Sequence, residues 1–312
     1  MFLIRTPPIQ GESLSSWRQR TGQANGFWRY PRHNYRGKNN DPDRIISTEE
    51  ESWLAEQFGC DQATLAQLTL DFELGKYLRT RNGANQLRGA LSHAGPSSRP
   101  GGHPMYCPTC LASDPIPYFR TSWRIAFNTR CPIHGCSLRE ACPNCGQPPW
   151  PSTIRKTEFG RWLSHRFCQA CGADLGQNCA THLSNQSKRA HRIQRRIADE
   201  YGSALWFVSQ LFLRNGTHDL LLHAFSMRGT QYHERSLNSH RLEFLDVQHR
   251  EELLDAADWL LQKWPKRFVS GALYCGLNVK DLSGSLHIAP DWVQNGIMEH
   301  LSKRRRLTSP WR

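Results

Sequence analysis

Four pairs of potential metal ligands follow one another in the middle of the chain, in the sequences CPTC, CPIH, CPNC and CQAC. Two residues separate the ligands of each pair, so both can reach one ion from a single tight turn. A tetrahedral zinc site needs four nitrogen or sulfur ligands and therefore two pairs. Taken in chain order, the pairs predict two zinc ions. The predicted ligands are Cys107, Cys110, Cys131 and His134 for the first ion, and Cys142, Cys145, Cys168 and Cys171 for the second.

Cys136 is an alternative to His134 as the fourth ligand of the first ion. A gap of four residues after Cys131 also lies within the range of zinc ligands. The two-residue gap of the other three pairs favours His134. A zinc ion with four protein ligands has no open position for a substrate water, so both ions are expected to be structural.

Disulfide bonds are the alternative use of these cysteines. The chain has 11 cysteines, an odd number, and residues 1–10 contain two prolines and no long apolar run, unlike a secretory leader. We therefore expect a cytoplasmic protein, and in that compartment paired cysteines bind metal more often than they form disulfides. No apolar stretch approaches the ~20 residues that a membrane-spanning helix needs.

The zinc region separates two other parts of the 312-residue chain, which predicts domains at 1–104, 105–180 and 181–312. The formal net charge is +13, and the three parts carry 13 − 10 = +3, 8 − 4 = +4 and 19 − 13 = +6. A basic balance of this kind favours association with nucleic acid or an acidic ribonucleoprotein. The charge is spread along the chain, and no dense basic domain stands out.

The part of the chain before the zinc pairs is predicted to be helical. Ser13 is expected to cap a first helix, and Thr48 a second one in a capping box with Glu51. A third helix is expected over residues 62–70, after a short turn that contains Gly59. Two helices joined in this way are compatible with a DNA-binding helix-turn-helix, and equally with a helical hairpin that touches no DNA.

The sequence PYFRTSWRIAFNTR lies between the first two zinc pairs. Its apolar residues are expected to pack as a small core over the metals, because the zinc region has few other apolar side chains. An aromatic and arginine-rich stretch could instead form a nucleic-acid surface. The expected core residues are Tyr118, Phe119, Trp123, Ile125 and Phe127, and the arginines expected to be exposed are Arg120, Arg124 and Arg130.

The part of the chain after the zinc pairs is predicted to be helical, with a long helix over 247–263 and a last helix that begins at Asp291. Two basic clusters are candidate nucleic-acid contacts, although cations near a helix C-terminus also complement its dipole. The candidates are Arg189, Arg192, Arg195, Arg196, Lys303, Arg304, Arg305 and Arg306. The predicted fold class is mainly α with small zinc-binding modules: a helix-turn-helix-like N-terminal domain, tandem zinc fingers or ribbons, and a C-terminal helical domain.

The run YCPTCLASDPIPYFRTSWRIAFNTRCPIHGCSLREACPNCG resembles the signature of the TniQ/TnsD family of transposon target-selection proteins. The segments ESLSSWRQRTGQANG, LAEQFGCDQATLAQLTL and WLLQKWP resemble helical segments of the same family. The resemblance implies an adaptor that recruits a AAA+ transposition ATPase to a chosen site. It also implies DNA and, in CRISPR-associated transposons, an RNA-guided effector complex as partners, with a homodimer in one branch. Other members bind an attachment sequence directly, so an autonomous DNA-binding protein is the alternative.

An enzyme of phosphoryl transfer, such as a nuclease or a transposase, is the third class of function. Its metal ions require clustered carboxylates. The acidic run at residues 49–51 lies at the start of a predicted helix, where acids stabilise the helix dipole. We therefore predict a protein without catalytic activity. The dispersed charge does not decide between the adaptor and the autonomous DNA-binding protein, but the short length of the chain and the lack of a dense basic domain favour the adaptor.

Overall fold

The computed structural model of the chain describes residues 2–27, 41–45, 47–76, 104–149, 163–177, 185–199, 245–277 and 291–301, together with Ala224, Met227 and Val279. The chain forms two compact units, Met1–His182 and Leu183–Arg312. Within the described ranges the structure is mainly α-helical, with isolated β-bridges and no strand, which confirms the predicted fold class. The division into three domains stays a prediction.

The first unit begins with helices α1 (Leu14–Ala24), α2 (Thr48–Phe58) and α3 (Gln62–Gln67). Their apolar sides meet in one buried cluster, and Trp17 lies at its centre with its ring 4.6 Å from that of Phe58. Gly59, at a φ of 65°, ends α2 and allows the short turn into α3. The cluster contains Phe2, Leu14, Trp17, Leu54, Phe58, Leu65 and Leu68.

Two helix boundaries differ from the prediction. Ser47, not Thr48, caps α2, and its hydroxyl accepts the backbone N–H of Glu50 at 3.2 Å. The predicted helix over 62–70 is two helices, because Thr69 caps a new one, α4 (Leu70–Gly75). Its Oγ1 accepts the N–H of Phe72 at 3.2 Å, so the chain changes direction there. The first cap is as predicted, with Ser13 accepting the N–H of Ser16.

The predicted core of the zinc region is confirmed, whereas the predicted exposure of its arginines is wrong. All five predicted core residues are buried around α5 (Pro108–Ser113) and a short 3₁₀ helix, Thr121–Arg124. Arg124 and Arg130 are only 1% and 4% exposed. Arg120 forms an ion pair with Asp114 and lies over the ring of Tyr118 at 4.4 Å. Arg124 and Arg130 are buried and Arg120 is half-buried, because the fold supplies acceptors for them.

Arg124 forms a buried ion pair with Asp41 and Asp43, two residues of the segment before α2. Asp43 also accepts the backbone N–H of Ser15 at 2.7 Å, and its carbonyl accepts the N–H of Leu70 at 2.8 Å. Burial alone would lower the pKa of Arg124, but the two carboxylates raise it above its usual value, so the guanidinium stays charged. This network links α1, α4 and the 3₁₀ helix of the zinc region.

The second unit contains helices α6 (Asn185–Asp199), α7 (Val247–Leu261), α8 (Lys266–Tyr274) and α9 (Asp291–Leu301). Helix α6 packs along α7, and α8 packs on both α7 and α9. The long predicted helix and the last predicted helix are therefore confirmed, although α7 ends at Leu261. None of the described helices combines the length and the apolar character that crossing a membrane requires.

The indole of Trp264 lies against α9 at Gly296. A Cβ added to Gly296 would be 2.7 Å from Trp264 Nε1 and 2.9 Å from Cε2. The indole N–H donates to the carbonyl of Trp292 at 3.3 Å, and the rings of Trp264 and Trp292 are 5.0 Å apart in an edge-on arrangement. Glycine is therefore required here for close approach, since the residue is helical and its φ is ordinary.

We expect Gly296→Val to destabilise the second unit by about 1–3 kcal/mol, the range for overpacking a core. Its methyl groups would displace the Trp264 indole from the surface of α9 and break the hydrogen bond to Trp292. Urea unfolding followed by tryptophan fluorescence measures the change. Asn295→Val, which places the same side chain at the exposed neighbouring position, is the control for lost helix propensity. Equal stability of the two variants would contradict the packing argument.

Candidate metal centres

The first metal centre consists of Cys107, Cys110, Cys131 and His134, whose ligand atoms all lie within 4.8 Å of one another. The Sγ atoms of Cys110 and Cys131 are 3.6 Å apart. His134 Nδ1 is 3.5, 3.3 and 3.7 Å from the sulfurs of Cys107, Cys110 and Cys131. Zinc bond lengths in a tetrahedron correspond to edges of about 3.8 Å between sulfurs and about 3.6 Å between sulfur and nitrogen. The geometry therefore fits one zinc ion.

The second metal centre consists of Cys142, Cys145, Cys168 and Cys171. The Sγ atoms of Cys142 and Cys171 are 3.7 Å apart, as are those of Cys145 and Cys168. Both distances match the edge of a zinc–thiolate tetrahedron, about 3.8 Å. A hydrogen bond from Asn144 and the backbone N–H of Ala173 lower the pKa of Cys171 to about 6, which favours the thiolate that a metal binds.

Three of the four ligand pairs lie on turns with the same backbone hydrogen bonds. In each turn, the first cysteine donates its N–H to the carbonyl five residues later, and a glycine four residues later donates to the carbonyl of that cysteine. The glycines have φ values of 66°, 68° and 82°, a region that favours glycine. The first residues of the three turns are Cys131, Cys142 and Cys168, and the glycines are Gly135, Gly146 and Gly172.

The remaining pair uses the start of a helix in place of a glycine turn. Cys107 is the N-cap of α5, and its Sγ accepts the backbone N–H of Cys110 at 3.4 Å. Pro108 occupies the first turn of α5, where a missing N–H costs nothing. Contacts with the thiols of Cys110, Cys131 and Cys136 hold the pKa of Cys107 well below its usual range.

The three equivalent turns favour His134 over Cys136 as the fourth ligand of the first centre. His134 occupies the turn position that Cys145 and Cys171 occupy in the second centre. Cys136 occupies the position of Gln147 and Ala173, whose carbonyls close the turns. The spacing argument and the turn geometry thus agree on the same residue.

Three of the four candidate arginines of α6 contact other helices of the second unit. Arg189 forms an ion pair with Asp255, and Arg192 binds Asp258 through two nitrogens, at 2.6 and 3.0 Å. The guanidinium of Arg196 lies 5.5 Å from the centre of the Trp292 ring. Arg195 is exposed. The second candidate cluster, Lys303, Arg304, Arg305 and Arg306, lies outside the described residues, and nucleic-acid binding by either cluster stays a prediction.

These ion pairs have a signal in the sequence. Arg189 and Arg192 are three residues apart, and so are Asp255 and Asp258. Residues three apart share one face of a helix, so two helices with such matched faces can pair. The basic face was predicted without its acidic counterpart, which lies 66 residues later in the chain.

The helix-turn-helix-like segment, residues 47–76, is strongly acidic. It contains seven acidic residues and a single basic one, Lys76, for a net charge of 1 − 7 = −6. Helix α3, where a recognition helix would lie, contains no Lys or Arg. Lys76 itself forms an ion pair with Glu73 at 2.6 Å. The net charge of residues 1–104 is nevertheless +3, because basic residues outside the segment offset its seven acids. The acidic character of residues 47–76 is therefore not visible in that sum.

His165, near the second metal centre, is fully buried between α1 and the aromatic core of the zinc region. Its Nε2 lies 3.3 Å from the carbonyl of Ser16, its ring packs edge-on against Phe119, and its Nδ1 has no hydrogen-bond partner. Burial, together with the nearby charge of Arg20, lowers the pKa of His165 to about 4. The imidazole is therefore neutral near pH 7.

We expect stability to fall with decreasing pH between the ordinary histidine pKa of about 6.5 and the folded value of about 4, because there the unfolded chain binds more protons. The full effect is about 3 kcal/mol. Metal loss in acid acts in the same direction, so the measured quantity is a difference between proteins. His165→Phe, unfolded by urea at pH 7 and pH 5, should lose less stability than the parent chain. Equal losses would contradict the prediction.

The sequence model of the TniQ family matches residues 3–138. The match spans α1 to α5 and the whole first metal centre, and it ends before the second. No curated protein matches the chain in a sequence comparison. The chain is therefore similar to the TniQ family over residues 3–138, and this match supports a transposition-related role in target selection.

Proposed function

We propose that this chain is a member of the TniQ family and a non-enzymatic adaptor of transposition. It would link a targeting component, an RNA-guided CRISPR effector complex, to a AAA+ transposition ATPase and its transposase. The proposal rests on the negative charge of the helix-turn-helix-like segment, residues 47–76, which is the part of the chain that would contact DNA in a DNA-binding protein.

A protein binds DNA mainly through cations placed against the phosphates, and base contacts add specificity to that attraction. The exposed acids Glu49, Glu56 and Asp61 of the helix-turn-helix-like segment would repel the phosphates. Lys76 is the one base among residues 47–76, and two bases from other segments, Arg5 beside Gly59 and Arg44 beside Asp71, are still fewer than the seven acids. An acidic helical surface is better suited to contact with a protein.

The ion pairs of the second unit support the same proposal. Asp255 and Asp258 neutralise Arg189 and Arg192 within the unit. Breaking these pairs to bind phosphate would leave two buried carboxylates, at 1% and 6% side-chain exposure, without a counter-charge. The loss of a partner from a buried ion pair is costly. The remaining net positive charge of the chain still provides weak attraction to any nucleic acid.

Zinc is the proposed occupant of both metal centres, as a structural ion. The distances between ligand atoms fit a zinc tetrahedron, and cysteine and histidine are the ligands that structural zinc prefers. Each set of four side chains completes the coordination, which leaves no position for a substrate water. The centres would therefore stabilise the fold and not catalyse a reaction.

We expect weak and largely sequence-independent DNA binding by the isolated protein, with Kd in the range of ~10⁻⁴ to 10⁻⁶ M at physiological salt. The measurement is a titration with the natural insertion site and with a scrambled duplex at about 150 mM salt. A variant with Glu49 and Glu56 changed to glutamine and Asp61 to asparagine, which can still cap α3, should bind both duplexes more tightly and to the same degree, because it loses phosphate repulsion and keeps the helix cap.

A partner-free preference of about 10³ or more for the natural site would overturn the adaptor proposal and establish direct site recognition. Co-purification is the complementary experiment. The adaptor should stay with the effector complex and the ATPase at a salt concentration that removes free DNA. An association that disappears when the DNA is digested would count against a direct protein contact.

A further inference from the structure

Cys136 is a buried thiol that lies outside both sets of four ligands and yet contacts the first set. It is 1% exposed, and its Sγ is 3.4 Å from Cys107 Sγ. The corresponding distance between Cys110 and Cys131, two sulfurs of the first set, is 3.6 Å. The sulfur of Cys136 is therefore as close to a ligand sulfur as two ligand sulfurs of the first set are to each other.

Among the residues that the structure describes, the turns of the second metal centre carry no such thiol. At the position equivalent to Cys136, its two turns carry Gln147 and Ala173. The hydrogen bonds of a closed turn therefore do not require cysteine there. Turn formation therefore does not explain why a cysteine occupies position 136. What this cysteine adds is the contact between its sulfur and that of Cys107.

His134 is the ligand that could leave the first centre with least disturbance. It is partly exposed, and it follows the exposed Pro132 and Ile133 at the tip of its turn. The three cysteines of the set are buried. Cys136 is not among the residues whose ligand atoms all lie within 4.8 Å of one another, so its side chain must rotate to enter the set. The four-residue gap after Cys131 lies within the range of zinc ligands.

We propose that Cys136 is a reserve ligand of the first metal centre, which replaces His134 when the imidazole is removed or leaves. In the exchange, the bond between the metal and His134 Nδ1 breaks, the Cys136 thiol releases its proton to water, and its sulfur binds the metal. A zinc centre then changes from 2 − 3 = −1 to 2 − 4 = −2 in formal charge. This inference rests on the proposal that zinc occupies the first centre.

The test compares the metal content of single variants that remove equivalent ligands. His134→Ala is expected to be soluble and to retain close to two equivalents of zinc, because Cys136 completes the first centre. Cys145→Ala is the matched control, since it removes the ligand at the same turn position from a turn that carries Gln147 in place of a cysteine. It should retain about one equivalent. The double variant His134→Ala with Cys136→Ser should also fall to about one.

Cobalt substitution identifies the ligands themselves, because thiolate-to-cobalt charge-transfer absorption grows with the number of coordinating sulfurs. The first centre of His134→Ala should show one more sulfur than that of the parent chain. Cys136→Ser alone should retain two equivalents and the parent spectrum, since His134 is then still present.

Three results would overturn the inference. His134→Ala could retain one equivalent or be insoluble, which would show that Cys136 does not complete the centre. The double variant could retain two equivalents, which would assign the fourth ligand elsewhere. Cys136→Ser could lose an equivalent, which would make Cys136 the resident ligand. A parent chain that binds no zinc at all would instead refute the proposed occupant.

Discussion

Replacing Cys168 with serine is expected to lower the zinc content of the purified protein from two equivalents to about one and to unfold the region around the second metal centre. Cys168 is 1% exposed and is one of four sulfurs that the fold brings together. The described residues around these sulfurs include few buried apolar side chains, so we expect the metal to supply much of the stability. Structural zinc contributes on the order of 10 kcal/mol in small domains.

The measurement is metal analysis together with limited proteolysis, which should cleave the variant between the first and second centres. Cys60→Ser is the matched control. It changes a partly buried cysteine that belongs to neither centre, and it should retain both ions and the parent digestion pattern. Retention of two equivalents by the Cys168 variant would show that the second centre is assigned to the wrong residues.

Arg124→Met is expected to destabilise the first unit by about 3–5 kcal/mol, the typical result of breaking a buried ion pair. Arg124 and Asp43 are each 1% exposed in their side chains, so water cannot replace the lost guanidinium. Asp41 loses its partner in the same substitution. The carboxylates would be left in the interior of the unit, or the network between α1, α4 and the 3₁₀ helix would open to hydrate them.

Thermal and urea unfolding of the metal-loaded protein measure this effect. Arg166→Met is the control, because Arg166 also binds an aspartate through two nitrogens but is 40% exposed. A surface pair of this kind contributes about 0–1 kcal/mol. A triple variant that adds Asp41→Asn and Asp43→Asn to Arg124→Met should recover part of the loss, since the uncompensated charges disappear. If the triple variant is no more stable than Arg124→Met, the loss of stability is due to packing alone.

The sequence determined the features that depend on residues close together in the chain. The ligand gaps of two residues fixed which side chains a single turn can direct at one ion, and the structure brings those eight residues into two clusters. The cap at Ser13 and the end of α2 at Gly59 were predictable for the same reason. A cap is a hydrogen bond across three residues, and an αL glycine is a property of one residue.

Only the tertiary structure decided what the charged residues do. Arg124 was predicted to be exposed, and it is buried because Asp43, 81 residues away in sequence, lies beside it in the fold. Arg189 was a candidate phosphate ligand, and it is instead paired with Asp255, 66 residues away. The charge of a side chain can be read from the sequence. Its partner depends on which distant segments come together when the apolar surface is buried. The spacing of residues along the chain does not predict this.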